Sequence, residues 1–596
     1  MSTELEAARA ATRAGRFDEA QAVCRAVLET RPEDPGALQL LGEIARRTGH
    51  HHAAIELLEK AIAYGGGAAS LYHELGAALQ SVAQLERAQN ALAKAIELEP
   101  GHLPSYLVLG AVSLGLGQLA AAEQVSRAAL AREPRLVDAY VNLGSALLGQ
   151  GKIAQAAEAH RAALAIDPNC VPVLCNHVSA CLSLGRLDEA EQCAERAVRL
   201  QPAFFEGLVN LGNVLLEKMQ LKRAIESYRK AVELRPDFSM ARVNLGYAFA
   251  VKGGFGEATK CYQAALALDP QCVPAHLYRG RLLLLQGSYP EAWRELEWRR
   301  RAPGHEPLHR LYAGIPRWDG TPLAGRTILV YGEQGLGDEI MFASCLPQVI
   351  TQAGRCVIDC EPRLENLFRR SFPRATVHGR DLGRLEQWLA ELRPDVAIAA
   401  GSLPLHLRQS EADFPRHRGY LQAAPERVAH WRSRLARLDA VLRVGLSWRG
   451  GIAETGRSRR SLELERLLPL LRQERIAFVS LQYGDCGAEI ARVARRHGVQ
   501  IHHWQEAIDD YEETAALVGA LDLTVSVCTA VVHLIGALGR PVWVMAPLFP
   551  EARYGLTGES MPWYPSARMF RQPAPGAWDE VIGAVIGALQ ALRTSR

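Results

Sequence analysis

The 596-residue chain has no run of about 18 apolar residues, the length a helix needs to cross a bilayer. Its opening, MSTELEAARAATRAGRFDEA, is charged and amphipathic and lacks the apolar stretch of a secretion signal. Charge of one sign is missing too: 68 Lys and Arg stand against 65 Asp and Glu, and the basic residues are scattered rather than gathered in blocks. Nucleic acid is therefore not an expected partner. The 12 cysteines contain no CxxC pair, and their irregular spacing offers neither a metal motif nor a disulfide framework. Buried reduced thiols, a cytoplasmic location and no integral membrane association are expected.

What is present is 48% hydrophobic and 22% charged residues, the balance of a globular protein with ample core. The length corresponds to roughly four units of about 150 residues, a count that repeats distort. Repeats dominate the first half. Pro32, Pro100, Pro134, Pro168, Pro202, Pro236 and Pro270 share one phase of 34 residues, broken only by Gly66. Gly42, Gly76, Gly110, Gly144, Gly212, Gly246 and Gly280 share a second, broken by Val178.

This period, with a small residue inside one helix and proline ending the other, resembles the tetratricopeptide repeat, as in AYVNLGSALLGQGKIAQAAEAHRAALAIDP. The small residues let paired helices approach, and proline stops the second helix because it lacks an N–H and clashes with the preceding turn. Stacked hairpins predict a superhelix whose concave face holds an extended partner. About eight repeats fit before residue 290, with PEAWRELEWRRRA, Pro290–Ala302, as the last helix. In a further phase, Asn142, Asn176, Asn210 and Asn244 recur two positions before the small residue. An amide offers donor and acceptor to any peptide backbone, so these four are candidate acceptor-protein-binding residues. They resemble the asparagine ladder of the nucleocytoplasmic O-linked N-acetylglucosamine transferases; the alternative is that each bonds within its own repeat.

From Thr327 the texture changes to short apolar runs between amphipathic helices: TILVYG, RCVIDC, DVAIAA, LRVGLSW, IAFVSLQ, LTVSVCT and PVWVMAP. Continuous apolar strands alternating with helices predict doubly wound α/β with parallel sheets. The charged segment Pro425–Arg443 reads as a connector, which divides the strands into two Rossmann-like lobes. Ligands in such sheets bind beyond the carboxyl ends of the strands, so the turns there are where chemistry is expected.

The first turn, GEQGLGDEI, lacks the third glycine of a dinucleotide loop and the lysine of a Walker A loop. Asp338 lies where a helix should begin, either as an N-cap or as a general base facing the cleft. The second, LSWRGGIAETGRSRRSLEL, places Arg449, Arg457, Arg459 and Arg460 around glycines, and guanidinium groups suit phosphate oxygens. In SLQYGDCGAEI, Gln482 and Tyr483 end a strand and can meet a base or ribose. In DLTVSVCTAVVHLIGALGRPVWVMAP, Thr529 opens a helix whose first N–H groups favour phosphate, with Ala530, Val532 and His533 in its first turns.

Together these motifs resemble the heptosyltransferase-like glycosyltransferases of the GT-B fold, most strongly in GLGDEI and VSVCTAVVHLIGALGRPVWVM. The resemblance implies that Asp338 is the catalytic base and that the Thr529–His533 region holds the donor's phosphate. Cys528 stands where that family usually has aspartate, and arginines replace the lysine of its basic loop, which argues against heptose. The first lobe is short, so the repeats are expected to supply part of the acceptor wall. Repeats joined to such lobes resemble the bacterial protein glycosyltransferases, including those that modify flagellin with sialic-acid-like, pseudaminic-type sugars.

The expectation is therefore a repeat superhelix over 1–302 that binds protein, an acceptor-side lobe over 303–424 and a nucleotide-sugar-binding lobe over 425–596. Its activity would be transfer of a sugar from a nucleotide donor to Ser or Thr hydroxyls of a captured protein. No Asp-x-Asp motif ends a strand, and basic side chains with helix N–H groups can stabilise the leaving phosphate, so neither a metal nor a further cofactor is expected. The alternatives are a lipopolysaccharide or other glycan acceptor, and a scaffold with a degenerate catalytic half.

Overall fold

The computed structural model describes residues 3–302, 306–451 and 457–595, and the side chains of all of these except Thr3, Glu306, Arg457 and Ser458. By contact density they form two compact units, Met1–Val214 and Leu215–Arg596.

The first unit is built of helical hairpins. Val137–Gly149 and Ile153–Ile166, of 13 and 14 residues, are a representative pair. The second helix stops at Asp167, whose φ of −126° and ψ of 94° are the extended values that a following proline imposes. A Cβ on Gly42 would lie 2.6 Å from Leu58 Cγ, and one on Gly76 2.5 Å from Leu92 Cγ. The in-phase glycines therefore set the distance between the helices of a repeat.

A second recurring constraint sits in the turn between paired helices. Residues 15, 49, 117, 151, 185, 253 and 287 are glycines with positive φ, and Ala83 and Met219 complete the same 34-residue phase at φ 58°. The turn geometry is thus held even where the chain carries a Cβ that the left-handed region disfavours.

The second unit begins with the remaining hairpins, through Val273–Leu285 and Tyr289–Leu296, and continues into two parallel sheets. The first contains β1 (Thr327–Tyr331), β2 (Arg355–Cys360), β3 (Thr376–Gly379) and β4 (Val396–Ala399) in the order β3-β2-β1-β4. The second contains β5 (Leu442–Ser447), β6 (Ile476–Ser480), β7 (Ile501–His502), β8 (Leu523–Val527), β9 (Val542–Ala546) and β10 (Ala567–Arg571), ordered β10-β9-β8-β5-β6-β7. Among the described residues all eight pairings between these strands are parallel. β1, β4, β8 and β9 are buried along their whole length or nearly so, as strands covered by helices on both faces must be. The seven apolar runs all form strands; β3, β7 and β10 are additional.

Chain order reverses beside β1 in the first sheet and beside β5 in the second, between β1 and β4 and between β5 and β8. These switch points open crevices at the strand ends. The turn GEQGLGDEI leaves β1, and the Cys528–Thr529 turn leaves β8.

The last hairpins are anchored to the first sheet. Trp293 Nε1 donates to Arg408 O at 2.7 Å. Arg299, in the short helix Glu297–Arg301, holds Glu333 of the β1 turn at 2.8 Å. Among the described residues no helix is long and apolar enough to cross a membrane, and all twelve cysteines are free.

Candidate functional site

Within the second unit, the β1 turn and the helix Ala530–Ala537 pack against one another and together line a cavity of about 950 Å³. The approach is close: a Cβ on Gly337 would lie 3.0 Å from Ala530 Cα and 3.2 Å from His533 Cδ2. Gly450, after β5, has a similar reason to be glycine, since its Cβ would meet Cys528 O at 2.6 Å. The cavity's third wall comes from the last hairpins, through Tyr247, Tyr278, Arg281 and Leu284. Phe549 joins this wall, its ring 6.2 Å from that of Tyr247.

Asp338 lines the cavity, but not as a helix cap. The helix Leu336–Phe342 has Gly335 at its N-cap, so Asp338 is the third residue of the first turn, and its N–H donates to Gly335 O at 2.8 Å. Its carboxylate pairs with Arg553 at 2.6 Å. The other acid of this turn, Glu333, is not available to an acceptor. It is buried among Arg299, His309 and Gln334; burial works against its charge, yet Arg299 and these hydrogen bonds hold it well below the ordinary carboxylate range. Glu339, also buried, accepts from Glu361 N–H at 2.9 Å, and burial pushes it up to about 7.

Arg553 is the residue that sequence reasoning missed. It lies in the short helix Ala552–Tyr554 after β9 and forms ion pairs with Asp338 at 2.6 Å and with Glu551 at 3.0 Å. Glu551 also holds Arg460. The available signal was a charged EAR triplet just past the strand end PVWVMAP, the same context that singled out the other turns.

His533 is 2% exposed. Burial, with Arg553 and Arg460 nearby, holds it well below its ordinary pKa, so the ring is neutral. Arg553 approaches Nε2 at 3.4 Å and can only donate, so Nε2 carries the lone pair and Nδ1 the proton. Nδ1–H then points to Tyr564 Oη at 3.2 Å; Tyr564 is 3.4 Å from Tyr420 Oη, which donates to Ile340 O at 2.7 Å. This chain orients the imidazole as an acceptor for Arg553 rather than as a cation for phosphate.

Thr529 and Ala530 line the cavity at the open end of the Ala530–Ala537 helix, and the Thr529 side chain makes no cap hydrogen bond. Val532 is fully buried in the core below. Arg460 lines the cavity; Arg459 does so while bonded to Glu217 at 2.6 Å and Tyr247 Oη at 2.9 Å. The side chain of Arg457 lies outside the described residues.

The remaining strand-end residues are placed elsewhere. Arg449 pairs with Glu489 at 3.1 Å. Gln482 is 4% exposed and braces the end of β5: its Oε1 accepts from Trp448 and Arg449 N–H at 3.0 and 2.8 Å, and its Nε2 donates to Arg449 O. Tyr483 is 77% exposed.

The four in-phase asparagines are all half-buried on helices. Asn142 Nδ2 donates to Leu107 O at 2.9 Å and Asn210 Nδ2 to Cys175 O at 3.4 Å, each reaching a carbonyl 35 residues earlier. In these two residues the amide thus ties one repeat to the previous one, as the alternative reading of the asparagines expected.

Tandem 34-residue hairpins followed by two parallel sheets define a tetratricopeptide-repeat protein with an α/β C-terminal region. Models described as tetratricopeptide repeat match residues 11–79, 69–102, 107–169, 176–238 and 243–305. Among curated proteins the chain is similar to Protein FlbA of Caulobacter vibrioides, 35% identical over 318 residues, which are 50% of this chain and 52% of that one. The chain thus spans about half the length of that relative. Among solved structures it resembles the tetratricopeptide protein TTC0263 of Thermus thermophilus (24% identity, TM-score 0.27, covering 30% of this chain and 99% of that one). It also resembles pilF of Pseudomonas aeruginosa (18% identity, TM-score 0.32, covering 35% and 96%).

Proposed function

We propose that the second unit is a GT-B glycosyltransferase that moves a sugar from a nucleotide-sugar donor to a Ser or Thr hydroxyl of a protein held by the repeats. Asp338 takes the hydroxyl proton, the oxygen attacks the anomeric carbon, and the bond from that carbon to the phosphate oxygen breaks. The electron pair leaves on the nucleotide phosphate, which the first-turn N–H groups of the Ala530–Ala537 helix and the Arg460 and Arg553 guanidinium groups stabilise. The observation that carries this reading is the juxtaposition of Asp338 with the Thr529–Ala530 helix end in one cavity.

The Asp338–Arg553 pair fits the same scheme. Arginine binds phosphate as readily as carboxylate through paired hydrogen bonds, so a bound donor competes with Asp338 for the Arg553 guanidinium and frees the base as the reaction begins. The aromatic wall of Tyr247, Tyr278 and Phe549 brings the last hairpins to the acceptor's path. Flagellin as the acceptor and a pseudaminic-type sugar follow from the resemblance of the whole architecture to flagellin-modifying enzymes.

The test is incubation of the full chain with a panel of UDP-, GDP- and CMP-sugars, followed by donor hydrolysis and transfer to purified flagellin. One donor should be hydrolysed and its sugar found on Ser or Thr by mass spectrometry. Hydrolysis without transfer to protein, but with transfer to lipopolysaccharide, moves the acceptor. Binding of flagellin with no turnover of any donor leaves the scaffold.

A further inference from the structure

One inter-repeat core of the first unit is polar where its counterparts are apolar. His177 holds the position occupied 34 residues to either side by Leu143 and Leu211, and Cys181 that of Leu147 and Leu215. Both lie on the helix Val171–Ser183, four residues apart and so on one face. His177 is 1% exposed and Cys181 fully buried. The next helix, Leu187–Leu200, brings Glu189 to the same point. His177 Nε2 lies 3.0 Å from Glu189 Oε1 and 3.4 Å from Cys181 Sγ, and the three ligand atoms fall within 4.8 Å of one another.

Two further observations point to a ligand. His160, on the preceding helix, is fully buried with its ring 6.0 Å from that of His177, and neither of its nitrogens has a hydrogen-bond partner among the described residues. His177 Nδ1 has none either. Two buried imidazoles with unpartnered ring nitrogens cost stability unless something satisfies them. Arg161 grips both oxygens of Glu189 at 2.8 and 2.9 Å and so fixes the carboxylate's orientation, with Arg186 4.0 Å away. An imidazole, a thiol and an oriented carboxylate form a donor set for a borderline-soft divalent ion.

We propose that His177, Cys181 and Glu189 bind one divalent transition-metal ion of the zinc class and pin the two helices of this repeat together. His160 packs beside this set, with its Nε2 against Gly144, and is not one of the three ligands. Binding exchanges the Cys181 thiol proton for the metal: the S–H bond breaks, the proton goes to solvent and the sulfur electron pair enters the S–metal bond. No oxidation is involved. The site is separate from the cavity around Asp338 and does not depend on the transferase reading.

The full chain, freed of metal by dialysis against chelator, is titrated with Co²⁺. The expected result is one Co²⁺ per chain with a sulfur-to-cobalt charge-transfer band, reversed by Zn²⁺. Cys181→Ser should abolish the band with helical circular dichroism unchanged. His177→Leu restores the side chain of the neighbouring repeats and so guards against a folding artefact; it should weaken Co²⁺ at least about tenfold. No band in the natural chain, a band surviving Cys181→Ser, or undiminished affinity in His177→Leu overturns the proposal.

Discussion

At Asp338 the proposed chemistry and the observed structure compete for one carboxylate, because a base must be free to accept a proton and this one is paired with Arg553 at 2.6 Å. If donor phosphate relieves that pairing, Arg553→Ala should weaken donor binding by about 2 kcal/mol or more, the range of a charge-assisted hydrogen bond. Glu551→Gln should do the opposite, tightening donor by up to about tenfold, since Glu551 holds both Arg460 and Arg553 in competition with phosphate. Isothermal titration with the hydrolysed donor checks both; equal weakening by the two variants would mean that Glu551 contacts the donor rather than competing with it. Glu339 gives a prediction in pH. Its folded pKa of about 7 lies above the ordinary 4.5, so the folded state keeps a proton that the unfolded state has already released. Its contribution to stability is full below about pH 4.5 and is lost as pH rises through about 7, a change on the order of 3 kcal/mol. Glu339→Gln should flatten that part of the stability–pH curve in urea titrations; an unchanged slope would place the effect on other groups.

At the scale of elements, the critical contact is the backbone of Gly337 against the Ala530–Ala537 helix, where even a methyl would sit 3.0 Å from Ala530 Cα. Gly337→Val should separate the two elements, cost about 1–3 kcal/mol as overpacking does, and depress transfer more than it depresses folding. Transfer at the natural rate would show that the closeness has no catalytic use. Elements of this kind were legible to different degrees. The repeats and seven strands declared themselves by period and by continuous apolar runs. β3, β7 and β10 did not, because TVHG has one buried residue, IH has two residues, and ARMFR carries an arginine at each end of its apolar centre. Among the site residues, Asp338, Arg460, Thr529 and Ala530 were legible from strand-end position alone and do meet in one cavity. Gln482 had the same position, yet its amide is used up bracing β5, and no sequence pattern distinguishes a bracing amide from a binding one. Arg553 was hidden because its role depends on a carboxylate 215 residues away in sequence.

Over the molecule as a whole, repeat pattern and compactness divide the chain at different places. The hairpin period continues to about residue 302, whereas the contacts group everything from Leu215 onward with the sheets. Arg299 and Trp293 explain the difference, since one neutralises a buried carboxylate of the β1 turn and the other bonds to Arg408 O. A fragment of residues 215–596 should therefore fold and retain donor hydrolysis while losing most protein capture. A fragment of 303–596 leaves Glu333 buried without its arginine, a loss of about 3–5 kcal/mol, and should be insoluble or molten by near-ultraviolet circular dichroism. Equal stability of the two fragments would contradict the anchoring.

The most direct measurement is single-turnover sugar transfer to purified flagellin by the full chain and by its Asp338→Asn variant, with donor affinity measured on the same samples. Loss of a general base predicts a rate lower by about 10²–10⁴-fold, with donor bound at least as tightly because Arg553 is no longer held by a carboxylate. Transfer by the variant at the natural rate, with its fold intact, would contradict the account.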